Sequence, residues 1–170
     1  SGLYVDQIQG EGSLPSPIHT PASLFPAALG LAHAEGLEGS AAFTLDGNGL
    51  WGTWQGSTAF MMPIPSIAYD DPYLNVYQDG HRMRGQIWPW QVYMAWRSLL
   101  FASRYEEAES LRERFLRMID KNSDLGIFET YDFFDGSPGL GPQGMYTESV
   151  LAPPVLQHSE SAVAVLRLLH

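Results

Sequence analysis

Two short segments of the sequence combine an arginine, a tryptophan and a carboxylate, which are side chains suited to a sugar-binding cleft. The first segment runs from Arg84 to Pro89 and contains Trp88, and the second contains Glu129. An arginine and an indole can hold a polyhydroxylated ring by hydrogen bonds and apolar stacking, and a glutamate can deprotonate a water molecule beside it. The residues therefore indicate a sugar site that has the means to activate water.

Two helices lie between these segments and must position them. Apolar residues recur at steps of three and four from Trp88 to Leu100, which predicts a buried helix over residues 88–103. A second apolar stripe predicts a helix over residues 106–122, joined to the first by a short turn, so that the two form an antiparallel hairpin. Because Trp88 is nearer the helix start, we predict that it lines the cleft and that Trp96 belongs to the core.

The rest of the chain divides into an N-terminal segment and a helical body. Residues 1–23 contain several glycines and prolines and no apolar period, which predicts an extended segment, and residues 24–170 form the domain. Residues 46–85 are irregular and rich in aromatics, and such long irregular stretches are usually functional. A short extended element is expected at residues 126–131. Further helices are predicted at residues 24–32, 37–43 and 160–169, with Ser159 as the N-cap of the last.

Composition limits the partners that this chain can have. Its 170 residues are 45% hydrophobic and 12% aromatic, enough for one packed domain, and its formal charge of −10 makes nucleic acid an improbable partner. No apolar run approaches the ~20 residues that span a bilayer, so we expect no membrane association. The five histidines show no helical pairing and there is no cysteine, so no metal site is predicted. The compartment stays open, with the cytoplasm slightly favoured.

Several short motifs follow one another in a set order along residues 24–152. They are Phe25-Pro26, Gly49-Leu50-Trp51-Gly52, Pro63-Ile64-Pro65-Ser66, Asp71-Pro72-Tyr73, Arg84-Gly85-Gln86-Ile87-Trp88-Pro89 and Phe128-Glu129-Thr130-Tyr131. This order resembles the C-terminal part of an (α/α)6-barrel glycoside hydrolase of the group that contains glucosidase I, mannosylglycerate hydrolase and trehalase. The resemblance implies an all-α fold, here a partial (α/α)6 toroid that forms the C-terminal half of a catalytic domain.

The resemblance also implies an activity, the inverting hydrolysis of an α-linked glucoside or mannoside. By this resemblance Glu129 matches the general base, which activates a water molecule across the ring from a general acid ~6.5–9.5 Å away. The substrate is then an oligosaccharide or small glycoside, and no cofactor is implied. The residues expected to bind it are Arg84, Trp88, Gln86, Tyr131, Trp51 and Tyr73.

One part of the expected machinery is missing from the sequence. The family's general acid is an aspartate from the earlier half of the barrel, and nothing before residue 24 resembles that region. The predicted helices are also too few, because twelve helices with their loops need at least ~200 residues. We therefore expect an upstream segment or another chain to complete the barrel, and we expect glycosidase activity only from the completed barrel.

Two other functions fit the sequence. The chain could be a non-catalytic carbohydrate-binding or structural remnant of the same fold, which Met83 slightly favours because the family usually has tryptophan there. Alternatively, it could be a helical protein-interaction module, in which case Trp51, Trp54 and Tyr73 would form an exposed patch unrelated to Glu129.

Overall fold

The fold is all-α, as predicted. The computed structural model describes residues 20–47, 50–52, 64–66, 86–121, 127–128, 130–131 and 159–169. Within these ranges the regular elements are helical, and none of the helices is long and apolar enough to cross a membrane. The elements are a 3₁₀ helix at Pro21–Leu24, α1 at Phe25–Ala28, α2 at Ala34–Leu45, α3 at Pro89–Phe101, α4 at Tyr105–Lys121 and α5 at Ser159–Leu169.

Helix α3 is the centre of the described fold, because α1, α2, α4 and α5 all pack against it. Its inner residues Val92, Ala95 and Leu99 have no exposed surface. Pro89 occupies the first turn, where its missing N–H costs little, and Trp88 is the extended N-cap residue before it. The buried helix predicted over residues 88–103 is thus confirmed, and its start fixes the position of Trp88.

Helices α3 and α4 form the predicted antiparallel hairpin. The turn passes through Ser103, which adopts a positive φ of 59°, and Arg104 N–H donates to the Leu99 carbonyl at 2.9 Å. On α4 the stripe of Ala108, Leu111, Phe115 and Met118 is buried. Further along the helix, Arg112 Nη1 donates to the Leu168 carbonyl of α5 at 3.2 Å, so α4 also supports the last helix.

The shorter helices begin and end at recognisable signals. Helix α1 has Pro26 in its first turn and is followed by Gly30, whose φ of 72° suits glycine at a helix C-terminus. A Cβ atom at Gly30 would lie only 3.2 Å from the Phe101 ring, which makes the position tight as well. Helix α2 is longer than the predicted 37–43, since His33 caps it, with Nδ1 accepting a hydrogen bond from Gly36 N–H at 3.2 Å.

The prediction that Trp96 belongs to the core and Trp88 lines the cleft was wrong as regards the core. Trp88 is 8% exposed and belongs to the core, whereas Trp96 is only partly buried and stacks on Tyr93 with ring centroids 5.9 Å apart. Trp96 follows Trp88 by eight positions, and periodicity does not say which end of that face is covered.

Candidate active site

Extended segments from three parts of the chain meet beside the start of α3. Ile87 and Tyr131 exchange a pair of antiparallel backbone hydrogen bonds, both of 2.9 Å. Ser66 N–H donates to the Gln86 carbonyl at 3.1 Å on the other side. The residues that follow Arg84 in the sequence are therefore bonded directly to those that follow Glu129, which brings together the two segments singled out in the sequence.

A buried side-chain hydrogen bond strengthens the same junction. The hydroxyl of Thr130 donates to Gln86 Oε1 at 2.7 Å, and the two residues are 3% and 1% exposed. Gln86 was expected to be a neighbour of the sugar, but its side-chain oxygen Oε1 already accepts a hydrogen bond from the protein. Sequence reasoning missed Thr130, for which the only signal was its place beside the proposed base.

Tyr131 lies beneath the surface of the described structure. Its side chain has no exposed area, its hydroxyl accepts a hydrogen bond from the Phe128 N–H at 3.0 Å, and the two rings meet edge to face with centroids 6.0 Å apart. Burial raises the pKa of the Tyr131 phenol above its ordinary value, although the bond from Phe128 opposes this. These contacts join Phe128 to Tyr131, and the sugar contact expected of Tyr131 stays a prediction.

An aromatic cluster surrounds the N-cap of α3. Trp88 meets Trp90 edge to face at 6.4 Å, and Trp90 in turn lies 5.5 Å from Phe25 of α1. Trp88, in contact with Trp90, is 8% exposed. A nearly buried indole with a small exposed surface can offer that surface to an apolar sugar face.

Trp51 is half-buried against the core, with the Arg114 guanidinium 5.0 Å from the centre of its ring. Trp51 is therefore only partly available for the exposed patch that the interaction-module hypothesis requires. Trp54 and Tyr73, the other members of that expected patch, lie outside the described residues. So do Glu129, Arg84 and Met83, and the roles predicted for Glu129, Arg84 and Tyr73 stay predictions.

One buried polar atom near the cluster has no partner among the described residues. Gln91 is 7% exposed, and its Oε1 accepts no hydrogen bond from them. Its backbone N–H, by contrast, donates to the Trp88 carbonyl at 2.9 Å in the first turn of α3. No group of three or more His, Asp or Glu side chains that could hold a metal ion occurs in the described parts of the chain.

A shallow cavity of about 310 Å³ lies on α3, lined by Tyr93, Trp96, Arg97, Leu100 and Phe101. The Arg97 guanidinium lies over two of these rings, 5.9 Å from that of Tyr93 and 5.5 Å from that of Phe101. The lining residues do not include any of the site residues that were predicted from the sequence and that the structure describes.

Comparison with known proteins relates the chain to carbohydrate-active enzymes. Residues 1–149 match the model of a family described as mannosylglycerate hydrolase MGH1-like glycoside hydrolase domain. No curated protein has a matching sequence.

Two crystal structures from Thermus thermophilus resemble the fold. An uncharacterized conserved protein has a TM-score of 0.67 and 20% identity, with the match covering 99% of this chain and 34% of that one. The GH63 mannosylglycerate hydrolase in complex with glucose has a TM-score of 0.63 and 19% identity, covering 98% and 32%. The chain thus spans about a third of the length of these proteins and shares their fold, which makes it a partial toroid.

Proposed function

The chain belongs to the MGH1-like glycoside hydrolase domain family, and from this membership we propose that it carries the general base of an inverting glycosidase. The single observation that supports this most directly is the bonded junction between residues 86–87 and 130–131. It joins the residues after Arg84 to the residues after Glu129. A site that uses both Arg84 and Glu129 needs these two segments to be adjacent. In this proposal Glu129 is the base.

The reaction follows from one carboxylate on each side of the sugar. The Glu129 carboxylate takes a proton from a water molecule, whose oxygen attacks the anomeric carbon as the bond to the glycosidic oxygen breaks. A carboxylic acid on the opposite face protonates the leaving oxygen. The attack from the face opposite the leaving group inverts the anomeric configuration, which gives the product a measurable signature.

Arg84, Trp88 and Tyr73 are proposed to hold the ring that is cleaved. Arginine offers five N–H donors to sugar hydroxyl groups, and the small exposed part of the Trp88 indole offers an apolar surface. The substrate is proposed to be a small α-linked glucoside or mannoside. The fold resembles that of a mannosylglycerate hydrolase in complex with glucose, and this likeness favours a small glycoside as the substrate.

The general acid is proposed to come from the part of the barrel that this chain does not contain. Several large apolar side chains of the described residues are exposed, including Leu31 between α1 and α2 at 76% and Val163 of α5 at 56%. Helices from an upstream segment or another chain would cover such side chains in a complete toroid. The chain's share of its structural relatives, about a third, agrees with this proposal.

The test uses the completed barrel, meaning this chain together with the segment or chain that supplies the remaining helices, identified by native mass spectrometry. It is assayed on a panel of α-glucosides and α-mannosides that includes mannosylglycerate, and proton NMR follows the anomer formed first. We expect inversion, and we expect Glu129→Gln to lower kcat by about 10²–10⁴-fold. The matched control is Glu113→Gln, which changes an exposed glutamate of α4.

Two results would overturn the proposal. Retained configuration would exclude the inverting mechanism, and full activity of Glu129→Gln would exclude Glu129 as the base. Sugar binding by the completed barrel without hydrolysis would instead support the non-catalytic alternative.

A further inference from the structure

We propose that Thr130 and Gln86 are positioning residues for Glu129, acting through the hydrogen bond between Thr130 Oγ1 and Gln86 Oε1. This inference rests on the proposed function, because it takes Glu129 to be the general base. It assigns Gln86 a role different from the sugar contact expected from the sequence, and it assigns Thr130 a role for the first time.

The burial of this hydrogen bond makes it a strong constraint. The donor and acceptor are 2.7 Å apart, in residues that are 3% and 1% exposed. If the Thr130 hydroxyl turned away, the hydroxyl and Gln86 Oε1 would lose each other as hydrogen-bond partners. Little water can reach either atom to replace the lost bond. Threonine is also restricted at χ1 by its β-branch, so few alternative rotamers compete with the bonded one.

The backbone on both sides of Glu129 is anchored, by different side chains. Phe128 N–H donates to the Tyr131 hydroxyl, and Thr130 donates to Gln86. Directly after them, Tyr131 is paired with Ile87 through two backbone bonds of 2.9 Å. Phe128 and Thr130, the two neighbours of Glu129 in the sequence, are thus each held by a buried hydrogen bond.

The same hydrogen bond connects the two halves of the proposed site. Gln86 follows Arg84 by two residues, and Thr130 is the next residue after Glu129. A displacement of one segment is therefore transmitted to the other. Proton abstraction needs a base within hydrogen-bond reach of its water, and a shift of about 1 Å can lower a rate by about 10²-fold.

Thr130→Val removes the hydroxyl while keeping the shape of the side chain, and the experiment compares it with the matched variant Thr44→Val. Thr44 is fully buried on α2, where its hydroxyl donates to the Ser40 carbonyl at 2.8 Å. Both variants lose one buried threonine hydrogen bond, but only Thr130 adjoins the proposed base. Steady-state kinetics over a range of pH and thermal unfolding are measured for both in the completed barrel.

We expect Thr130→Val to lower kcat by about 10–100-fold with KM changed less than about 3-fold. We also expect the acidic limb of its pH profile to move, since that limb reports the ionisation of the base. Thr44→Val should lose a similar amount of thermal stability while its kcat and pH profile stay as in the native protein. Thr130→Ser, which keeps a hydroxyl, should recover most of the rate.

A purely structural role would make Thr130→Val and Thr44→Val behave alike, and that result would overturn the inference. Should Thr130→Val fail to fold, Gln86→Met tests the acceptor, and the same loss of kcat with a moved acidic limb is required of it. Glu129→Gln is measured in parallel. If Glu129→Gln is fully active, the proposed function has failed; if it is inactive while Thr130→Val has normal kinetics, only the positioning role has failed.

Discussion

The hydroxyl of Tyr131 accepts a hydrogen bond from the backbone N–H of Phe128, three residues earlier. The bond is buried, and it is followed at once by the backbone pairing of Tyr131 with Ile87. Tyr131, which was predicted to bind the sugar, is thus buried and held by hydrogen bonds to Phe128 and Ile87.

Replacing Tyr131 with phenylalanine should destabilise the protein. The Phe128 N–H would lose its partner in a buried environment, which costs about 1–3 kcal/mol of the free energy of unfolding. Chemical denaturation of the native chain and of Tyr131→Phe measures this difference. Tyr105→Phe, at a residue that is 63% exposed, should change the free energy of unfolding by less than about 0.5 kcal/mol. Equal effects at the two positions would contradict the buried hydrogen bond.

Tyr131 should also make stability depend on pH in the alkaline range. Burial raises the pKa of its phenol above the ordinary value of 10.0, so the folded state retains the proton at pH values where the unfolded state has lost it. The stabilisation from this tyrosine is complete below about pH 10 and falls as the pH rises from there through the folded-state pKa. Denaturation between pH 8 and 11 should show a steeper loss for the native chain than for Tyr131→Phe. Parallel curves would show that the phenol is not desolvated.

The parts of this fold that follow from local periodicity were predictable from the sequence, and the parts that depend on distant contacts were not. The stripe from Ala108 to Met118 specifies α4 because one face of that helix is apolar and the other charged. The hydrogen bond between Gln86 and Thr130 joins residues 44 positions apart, and no local sequence pattern predicts it.

Two errors of detail have other reasons. Helical spacing places Trp88 and Trp96 on about the same face, so it cannot decide which of them is the more buried. Helix α2 starts earlier than predicted because His33, an uncommon N-cap residue, caps it.

The central position of α3 predicts where the fold is most sensitive to loss of side-chain volume. Leu99 has no exposed surface, and α1, α2, α4 and α5 all pack against its helix. Leu99→Ala should therefore cost about 2–5 kcal/mol, the usual range for a cavity in a packed core. The control is Leu166→Ala on α5, at a side chain that is 53% exposed, and we expect less than about 1 kcal/mol from it in the 170-residue chain.

The comparison of these two leucines also tests the proposal of a completed barrel. If further helices cover α5 in the complete protein, Leu166→Ala should cost more there than in the 170-residue chain, whereas Leu99→Ala should cost about the same in both. An unchanged cost for Leu166→Ala would mean that nothing packs on that face of α5.

Gln91 and Gln86 should respond to the same substitution with opposite signs. Both are buried, but Gln91 Oε1 has no hydrogen-bond partner in the described structure, whereas Gln86 Oε1 accepts from Thr130. Methionine has a similar shape and no amide. Gln91→Met should raise the free energy of unfolding by about 1 kcal/mol, because it removes a buried unsatisfied acceptor, and Gln86→Met should lower it by about 1–3 kcal/mol, because it leaves the Thr130 hydroxyl unpaired. Urea denaturation measures the free energy of unfolding of both variants. A loss of stability for Gln91→Met equal to that for Gln86→Met would show that Gln91 Oε1 is hydrogen-bonded after all.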